Sequence, residues 1–452
     1  MKLHRGFFFT VFLLAILTAL GNAAWGQTNA SLRGTVTDQS GGVVIGTKVT
    51  LINTGTGIVR SMLSDKDGNY LFDLVQVGRY KVTVEKQGFT TFAQDGIVLE
   101  LNQNGRLDVS LRIGQSAQTV EVTGNVAQVD TTSAVLGKVE NERMINDLPL
   151  LDRDTLQLGL LQAGVFPADP DDTSGNPFSV SGQRSESLTF LLDGANNTDF
   201  LGNNIVVSPN PDAVEEFKIL TNNYDAEYGR TSGGIVNQIT KSGSNDFHGD
   251  AFEFLRNNVL NARDYFLPPS EPNAAYRRNV FGGTLGGPVK KDKVFFFVAY
   301  QGTRRGEGQS PSPIGVLSVP ERSGNFSDLG FPLFDPVTGN PYPNNQVPVN
   351  PIIANYIAKY LPMPNVGTNQ FSSSPLATVN DDQGVVHFDY NITQRDVLSF
   401  VYLIDDSRAF FPEEGGTISS TTGAQPSGSG GNVPIGSGGL ETNRNQIGTF
   451  TW

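Results

Sequence analysis

The chain lacks the residue types on which many catalytic and metal sites depend. Its 452 residues include no cysteine, which excludes disulfides, thiolate nucleophiles and cysteine metal sites. The histidines are His4, His248 and His387, too few and too far apart in sequence to favour a zinc site of two or three imidazoles. Asp193 and Glu227 have no histidine or second acid at catalytic spacing, so both are interpreted as turn residues. The sequence predicts no enzyme, no cofactor and no metal site.

Positive charge is scarce as well. The chain has 32 Lys and Arg residues against 45 Asp and Glu residues, a formal net charge of -13, and its basic residues are scattered along the sequence. Binding to nucleic acid depends on basic residues gathered into a patch or stripe. Nucleic acid is therefore not expected as a partner.

Long apolar runs are absent beyond the N-terminus. A basic start precedes an almost wholly apolar run from Phe7 to Leu20 and then small residues, which is typical of a secretory signal peptide, assigned to residues 1–26. A retained anchor is the alternative, disfavoured because the run is shorter than the ~20 residues of a spanning helix. The longest later run, Val294 to Tyr300, is far shorter. Any membrane crossing is therefore expected to use β-strands.

Glycine and proline are plentiful, with 51 and 25 residues, and they divide the chain into short segments. Between Ser31 and Arg112 apolar residues alternate with polar ones, as in Tyr80 to Glu85. This period of two, broken by turn sequences, predicts a β-sandwich, assigned to residues 27–115. Asp65 to Gly68 could be read as calcium ligands, but the later acidic positions of a calcium loop are missing, which favours a plain turn.

Three motifs of this region resemble the carboxypeptidase regulatory-like domain: Gly34–Asp38, Asp67–Tyr70 and Gly78–Val84. The resemblance implies a transthyretin-like, carbohydrate-binding-like fold and a module rather than an enzyme. A peptidase, suggested only by the name of that domain, would need paired metal ligands that the sequence does not provide.

The next region, residues 127–245, contains a series of ordered motifs: Leu148–Leu150 with Arg153, Ser179–Arg184, Phe190–Gly194, Pro211–Phe217, Tyr224–Arg230, Ser232–Asn237 and Thr240–Gly243. Together these motifs resemble the plug of a TonB-dependent receptor of the Oar-like group. Locally, Leu191 to Gly194 is expected to be a buried strand ending in an Asp-Gly turn. The resemblance implies an outer-membrane location and energy-coupled import.

A short extended segment lies between the sandwich and the plug, within a linker assigned to residues 116–126. Its residues are Gln118, Thr119, Val120, Glu121, Val122, Thr123 and Gly124, and it is similar to the TonB box of these receptors. That similarity implies pairing with a TonB-type periplasmic coupling protein, and alternating β-branched residues suit strand addition. The alternative is a last strand of the sandwich or a simple linker.

Aromatic-rich strands begin at His248 and indicate an outer-membrane β-barrel, assigned to residues 246–452. Strand patterns are found at residues 248–256, 279–285, 293–300, 385–390, 397–404 and 447–452. Residues 302–381, with a short helix at Ile352 to Tyr360, and residues 415–439 are expected to form extracellular loops. A barrel that holds a plug needs about 22 strands, so the sequence is expected to be the front of a longer chain although it ends in the aromatic Trp452.

The expected fold class is mainly β: a transthyretin-like β-sandwich, an α+β plug, and the first strands of an incomplete transmembrane β-barrel. The expected function is energy-coupled binding and import of a nutrient at the outer membrane. The alternative is a surface adhesion or carbohydrate-binding protein. The expected partners are the coupling protein, outer-membrane lipid and an extracellular ligand, for which carbohydrate is one candidate.

Overall fold

The computed structural model describes most of the chain between residues 29 and 451. The described residues are 29–114, 119–123, 135–150, 152–169, 175–224, 228–229, 231–263, 265, 273–308, 314–371, 376–394, 396–411 and 439–451. The expected signal peptide, Gln118, Gly124, Glu227, Trp452 and nearly all of the expected loop at 415–439 lie outside the described residues.

The N-terminal region forms two packed β-sheets. Its strands are β1 (Asn29–Asp38), β2 (Lys48–Asn53), β3 (Val59–Leu63), β4 (Asn69–Gln76), β5 (Gly78–Glu85), β6 (Thr91–Leu99), β7 (Asn104–Arg106), β8 (Val109–Leu111) and β9 (Thr119–Thr123). One sheet has the order β4-β1-β7, with β8 also paired to β1, and the other has the order β3-β2-β5-β6-β9. The predicted sandwich is confirmed, with the half-exposed β3 as a strand that the sequence pattern did not indicate.

Alternate residues of these strands fill one apolar core between the sheets. Leu32, Val49, Val82 and Ile97 are fully buried there. Gly34 allows β1 to pass close to the segment before β8, because a Cβ at this position would lie 1.8 Å from the Leu107 carbonyl oxygen. The alternation therefore predicted the buried face correctly.

The Asp65 carboxylate accepts hydrogen bonds from the backbone of its own turn. The Asp65 Oδ1 accepts hydrogen bonds from the backbone N–H groups of Asp67, at 2.9 Å, and Asn69, at 2.7 Å. Gly68 adopts a positive φ of 75°, which glycine tolerates without steric cost. These residues form the plain turn that the sequence favoured.

The central region is a small α+β unit. Its elements are β10 (Leu136–Asn141), α1 (Glu142–Asp147), β11 (Val165–Pro167), β12 (Phe178–Val180), β13 (Thr189–Leu192), β14 (Ala195–Asn196), β15 (Val214–Asn222) and β16 (Ile235–Thr240). The main sheet has the order β10-β15-β16-β13-β14, in which β13 and β16 are parallel and the other neighbours are antiparallel. Asp193 and Gly194 have positive φ angles of 47° and 77° and form the expected turn between β13 and β14.

This unit has an apolar core of its own. Phe178, Phe190 and Phe217 are fully buried in it, and every residue of β16 is buried. A strand buried on both faces is expected at the centre of a sheet, which is where β16 lies.

The C-terminal region is one antiparallel meander of six long strands. They are β17 (His248–Asn257), β18 (Tyr276–Lys290), β19 (Val294–Gly308), β22 (Leu376–Asn391), β23 (Val397–Phe411) and β24 (Gly439–Thr451), each paired with the next. Their positions match the predicted strands, but most of the observed strands are longer than predicted. The polar ends, such as Arg304 and Arg305, break the apolar pattern in the sequence but remain hydrogen-bonded in the sheet.

The connections between these strands are unequal. Tight turns link β18 to β19 and β22 to β23, whereas residues 258–275 and 309–375 form long connections at the opposite end of the sheet. The longest connection contains β20 (Ile314–Gly315), β21 (Gln370–Phe371) and the predicted helix, α2 (Pro351–Tyr360), capped by the Asn350 side chain. No helix among the described residues is long and apolar enough to cross a membrane.

The two faces of the meander differ in what they contact. Phe295, Phe297 and Val385 are buried on the face that packs against the central unit. Val386, Phe388 and Tyr390 alternate with buried residues of β22 and stay 39–43% exposed on the other face. An apolar outer face with aromatic residues is typical of strands that lie against lipid.

Candidate functional site: the plug, its contacts and the coupling segment

The central unit is attached to the inner face of the meander at several buried polar points, the first of them at Arg153. Its guanidinium carbon lies 4.6 Å and 4.3 Å from the ring centroids of Phe252 and Phe254 on β17. The guanidinium also pairs with Asp212 and donates to the Gln301 Oε1 on β19 at 3.2 Å. Burial lowers the pKa of Arg153, and the Asp212 carboxylate opposes that shift.

A second attachment joins Asn210 to Gln383 of β22. The Gln383 Oε1 accepts from the backbone N–H of Asn210 at 2.6 Å and from its Nδ2 at 3.1 Å. The Gln383 Nε2 donates to the Ser208 carbonyl oxygen at 2.9 Å. Because one side-chain amide satisfies both a donor and an acceptor of the central unit, this contact fixes orientation as well as position.

A third attachment involves the Asp193 turn. The Asp193 carboxylate accepts from the Thr240 backbone N–H at 2.9 Å and from its Oγ1 at 3.0 Å. The Thr240 Oγ1 also lies 3.0 Å from the His387 Nδ1, and the His387 Nε2 lies 3.2 Å from the Asp389 Oδ1. Burial raises the pKa of Asp193. Asp193 therefore has the turn role expected from the sequence and, in addition, anchors β16 close to β22. We call the inner face of the meander the wall.

The sandwich contacts the central unit through the turn that follows β6. The Leu101 backbone N–H donates to the Glu216 Oε2 at 2.8 Å, and the Leu101 carbonyl oxygen accepts from the Lys218 Nζ. We call this arrangement the Leu101 clamp. Leu101 is fully buried, and burial raises the pKa of Glu216 to about 8. The neighbouring Asn102 side chain donates to the Tyr228 hydroxyl.

A further contact joins the sandwich to the start of the meander. The Asn245 backbone N–H donates to the Gly55 carbonyl oxygen at 2.9 Å. The Asn245 side chain forms two hydrogen bonds of 2.8 Å with Asp292, which lies in the turn between β18 and β19. The sandwich is therefore placed at the end of the sheet that carries the tight turns.

Residues Thr119 to Thr123 of the candidate coupling segment form β9. This strand pairs in parallel with the first part of β6, from Thr91 opposite Thr119 to Asp95 opposite Thr123. Within the described part of the chain, β9 is the last strand of its sheet. The backbone thus adopts the alternative expected from the sequence, a last strand of the sandwich, and the coupling role remains a prediction.

The residues that join the parts were largely missed by sequence reasoning. Glu216 falls within one of the plug motifs, but its partner Leu101 lies far away in sequence. Gln383 is one of several polar residues on the buried face of β22, together with His387 and Asp389. A buried-face position occupied by a polar residue was the one available signal, and it does not identify the partner.

Comparison with known proteins agrees with this architecture. Residues 31–112 match the family described as carboxypeptidase regulatory-like domain, and residues 239–446 match the outer membrane beta barrel domain. The chain is 29% identical over 354 residues to the TonB-dependent transporter Oar of Myxococcus xanthus, covering 75% of this chain and 33% of that protein. The chain is therefore similar to the Oar-like TonB-dependent receptors. It spans about a third of the length of the Oar relative.

Two solved structures show more distant likeness to the receptor. The outer membrane transporter YddB of Escherichia coli shares 12% identity with a TM-score of 0.39, covering 61% of this chain and 33% of that one. The ferric enterobactin receptor PfeA of Pseudomonas aeruginosa, a Q482A mutant, shares 15% identity with a TM-score of 0.34 at the same coverages. The matches to the outer membrane beta barrel domain and to Oar place the chain in the outer membrane.

Proposed function

We propose that the receptor imports a nutrient across the outer membrane with energy supplied through a TonB-type periplasmic protein. The central unit acts as the plug that closes the lumen, and Gln118 to Gly124 act as the coupling segment. The observation that carries this proposal is the set of matched polar contacts between plug and wall. Such buried contacts hold a plug firmly, so that opening it requires an external input of energy.

The proposal includes a division of the chain. Residues 1–26 are the signal peptide, 27–115 the sandwich, 116–126 the coupling segment and linker, 127–245 the plug and 246–452 the start of the barrel. Two separate apolar cores, one in the sandwich and one in the plug, support the boundaries between these parts. The exposed apolar face of the meander supports contact with outer-membrane lipid.

The experiment compares three strains in mixed culture: one with the full-length receptor, one lacking residues 118–124, and one lacking the gene. The cultures are grown on a panel of oligosaccharides, peptides and ferric siderophores as limiting nutrients. On a nutrient that the receptor imports, the gene deletion should be outcompeted, and the segment deletion should be outcompeted equally while its receptor remains at normal abundance in the outer membrane.

Growth of the segment deletion like wild type on that nutrient would contradict energy coupling through this segment. The rival function, surface adhesion or carbohydrate binding, predicts a different pattern. In that case the gene deletion would lose attachment to surfaces, and removal of residues 118–124 would leave attachment unchanged.

A further inference from the structure

One strand of the sandwich is linked to both the coupling segment and the plug. The first part of β6, from Thr91 to Asp95, pairs with β9. The same strand ends at Leu99 and continues directly into the turn whose residue Leu101 is held by the plug. Strand β6 thus connects the segment that would receive force to the unit that must move.

Strand β9 offers one edge to a partner without leaving the sandwich. In a paired strand, alternate backbone N–H and C=O groups face the neighbour and the others face away. Because β9 ends the described sheet, the groups that face away from β6 form an edge suited to a further strand. Strand addition at this edge needs no prior loss of the five β6–β9 residue pairs.

We propose that the periplasmic coupling protein adds a strand to the free edge of β9 while β9 stays paired with β6. The sandwich then transmits the force from β9 to the plug. This inference rests on the proposed coupling role of Gln118 to Gly124. The rival arrangement is a sandwich that masks β9 and must release it before the partner binds.

The Leu101 clamp is suited to transmit force from β6 to β15. It grips the main chain of Leu101 on both sides, with Glu216 accepting from the N–H and Lys218 donating to the carbonyl oxygen. Both side chains belong to β15, which pairs with β10 and β16 of the plug sheet. A pull along β9 shears its pairs with β6 together, and the displacement of β6 is passed through the clamp to β15.

The decisive experiment locks β9 onto β6 in the full-length receptor. The 452 residues contain no cysteine, so Asp95→Cys with Thr123→Cys introduces one thiol pair at register partners of β6 and β9. Paired strands lie about 4.8 Å apart, which is within the Cα separation that a disulfide spans. The probe is the purified C-terminal domain of the coupling protein. We expect the oxidised receptor to bind it within about threefold of the reduced receptor, and to support growth on the nutrient identified by competition.

Two results would overturn the inference: binding weakened more than about tenfold by oxidation and restored by reduction, or binding retained with growth lost. The single variant Asp95→Cys, treated with oxidant, is the matched control for oxidation itself. If the wild-type receptor failed to bind the probe in either redox state, the proposed coupling would fail, and this inference with it. That failure is distinct from a difference between the oxidised and reduced forms.

A second variant tests the clamp. Lys218→Met removes the donor to Leu101, and we expect probe binding to remain while import on the same nutrient falls more than about tenfold. Lys48→Met is the control, because the Lys48–Glu85 pair of the sandwich is 55% and 50% exposed and its loss leaves no buried charge. Import retained in Lys218→Met would show that force does not pass through the clamp.

Discussion

At the scale of single residues, the plug is held by side chains that satisfy one another rather than by apolar packing alone. Arg153 is the clearest case, because its charge meets Asp212 and its planar face meets two phenylalanine rings. Removing one partner of a buried pair leaves the other charge without compensation. The pair therefore contributes more to the position of the plug than any exposed ion pair of the chain would.

Arg153→Met should weaken plug seating by about 3 to 5 kcal/mol, the usual cost of breaking a buried ion pair. The measurement is hydrogen exchange of the plug strands in the full-length receptor. Arg143→Met is the control, because the Arg143–Asp147 pair is 90% and 70% exposed and should contribute at most about 1 kcal/mol. Equal effects of the two substitutions would contradict the anchoring role of Arg153.

Glu216 makes the Leu101 clamp sensitive to pH. Its pKa in the folded chain is about 8 because of burial, above the ordinary 4.5, so the folded state binds the proton more tightly than the unfolded state. The stability of the fold around the clamp is therefore greatest below about pH 4.5 and falls as pH rises towards 8. We expect amide protection of residues 100–103, measured at each pH and corrected for intrinsic exchange, to fall across this range. Glu216→Gln should make the protection nearly independent of pH, and an unchanged pH dependence would assign the titration to another group.

At the scale of elements, strand edges decide where partners attach. Val120→Pro removes a main-chain donor from β9 and should abolish energised uptake while ligand binding remains, if this segment couples the receptor. Val59→Pro is the matched control, since Val59 begins β3, the edge strand at the opposite end of the same sheet. Uptake at the wild-type level in Val120→Pro would contradict the assignment of Gln118 to Gly124 as the coupling segment.

The outer face of β22 provides a second test at this scale. Val386 is 43% exposed within the apolar band, so Val386→Arg should destabilise the folded receptor in lipid by about 2 to 4 kcal/mol. Thr378→Arg lies on the same face nearer the long connections and should cost about 0 to 1 kcal/mol. Urea unfolding followed by heat-modifiable gel mobility measures both. Equal costs would contradict the assignment of this face to lipid.

At the scale of the whole molecule, the sandwich is the part best able to fold alone. Its apolar core draws only on residues between Ala30 and Leu111, and both of its sheets close over that core. Expressed as residues 27–115, it should be soluble and unfold cooperatively, with a free energy of unfolding of about 4 to 13 kcal/mol, scaled from ~0.05–0.15 kcal/mol per residue. Circular dichroism during urea unfolding measures this value. A broad, non-cooperative transition would show that the plug is needed to complete the fold.

The sequence by itself determined the local features of this receptor. Period-two alternation identified most of the sandwich strands, though not β3, and the six long strands, because side chains alternate between faces in every strand. The Asp-Gly turn after Leu192 and the helix at Ile352 to Tyr360 were both predicted from local sequence, and the structure adds the Asn350 cap of the helix. The proposed plug rests on ordered motifs that resemble those of the Oar-like receptors.

Only the tertiary structure decided how the parts meet. The clamp joins Leu101 to Glu216, and the wall contact joins Asn210 to Gln383, each across more than a hundred residues of sequence. A one-dimensional pattern shows that a polar side chain stands on a buried face, but not which distant group satisfies it. The same holds for β9, whose alternation suits a sheet edge, while its pairing with β6 depends on where the sandwich leaves an edge free.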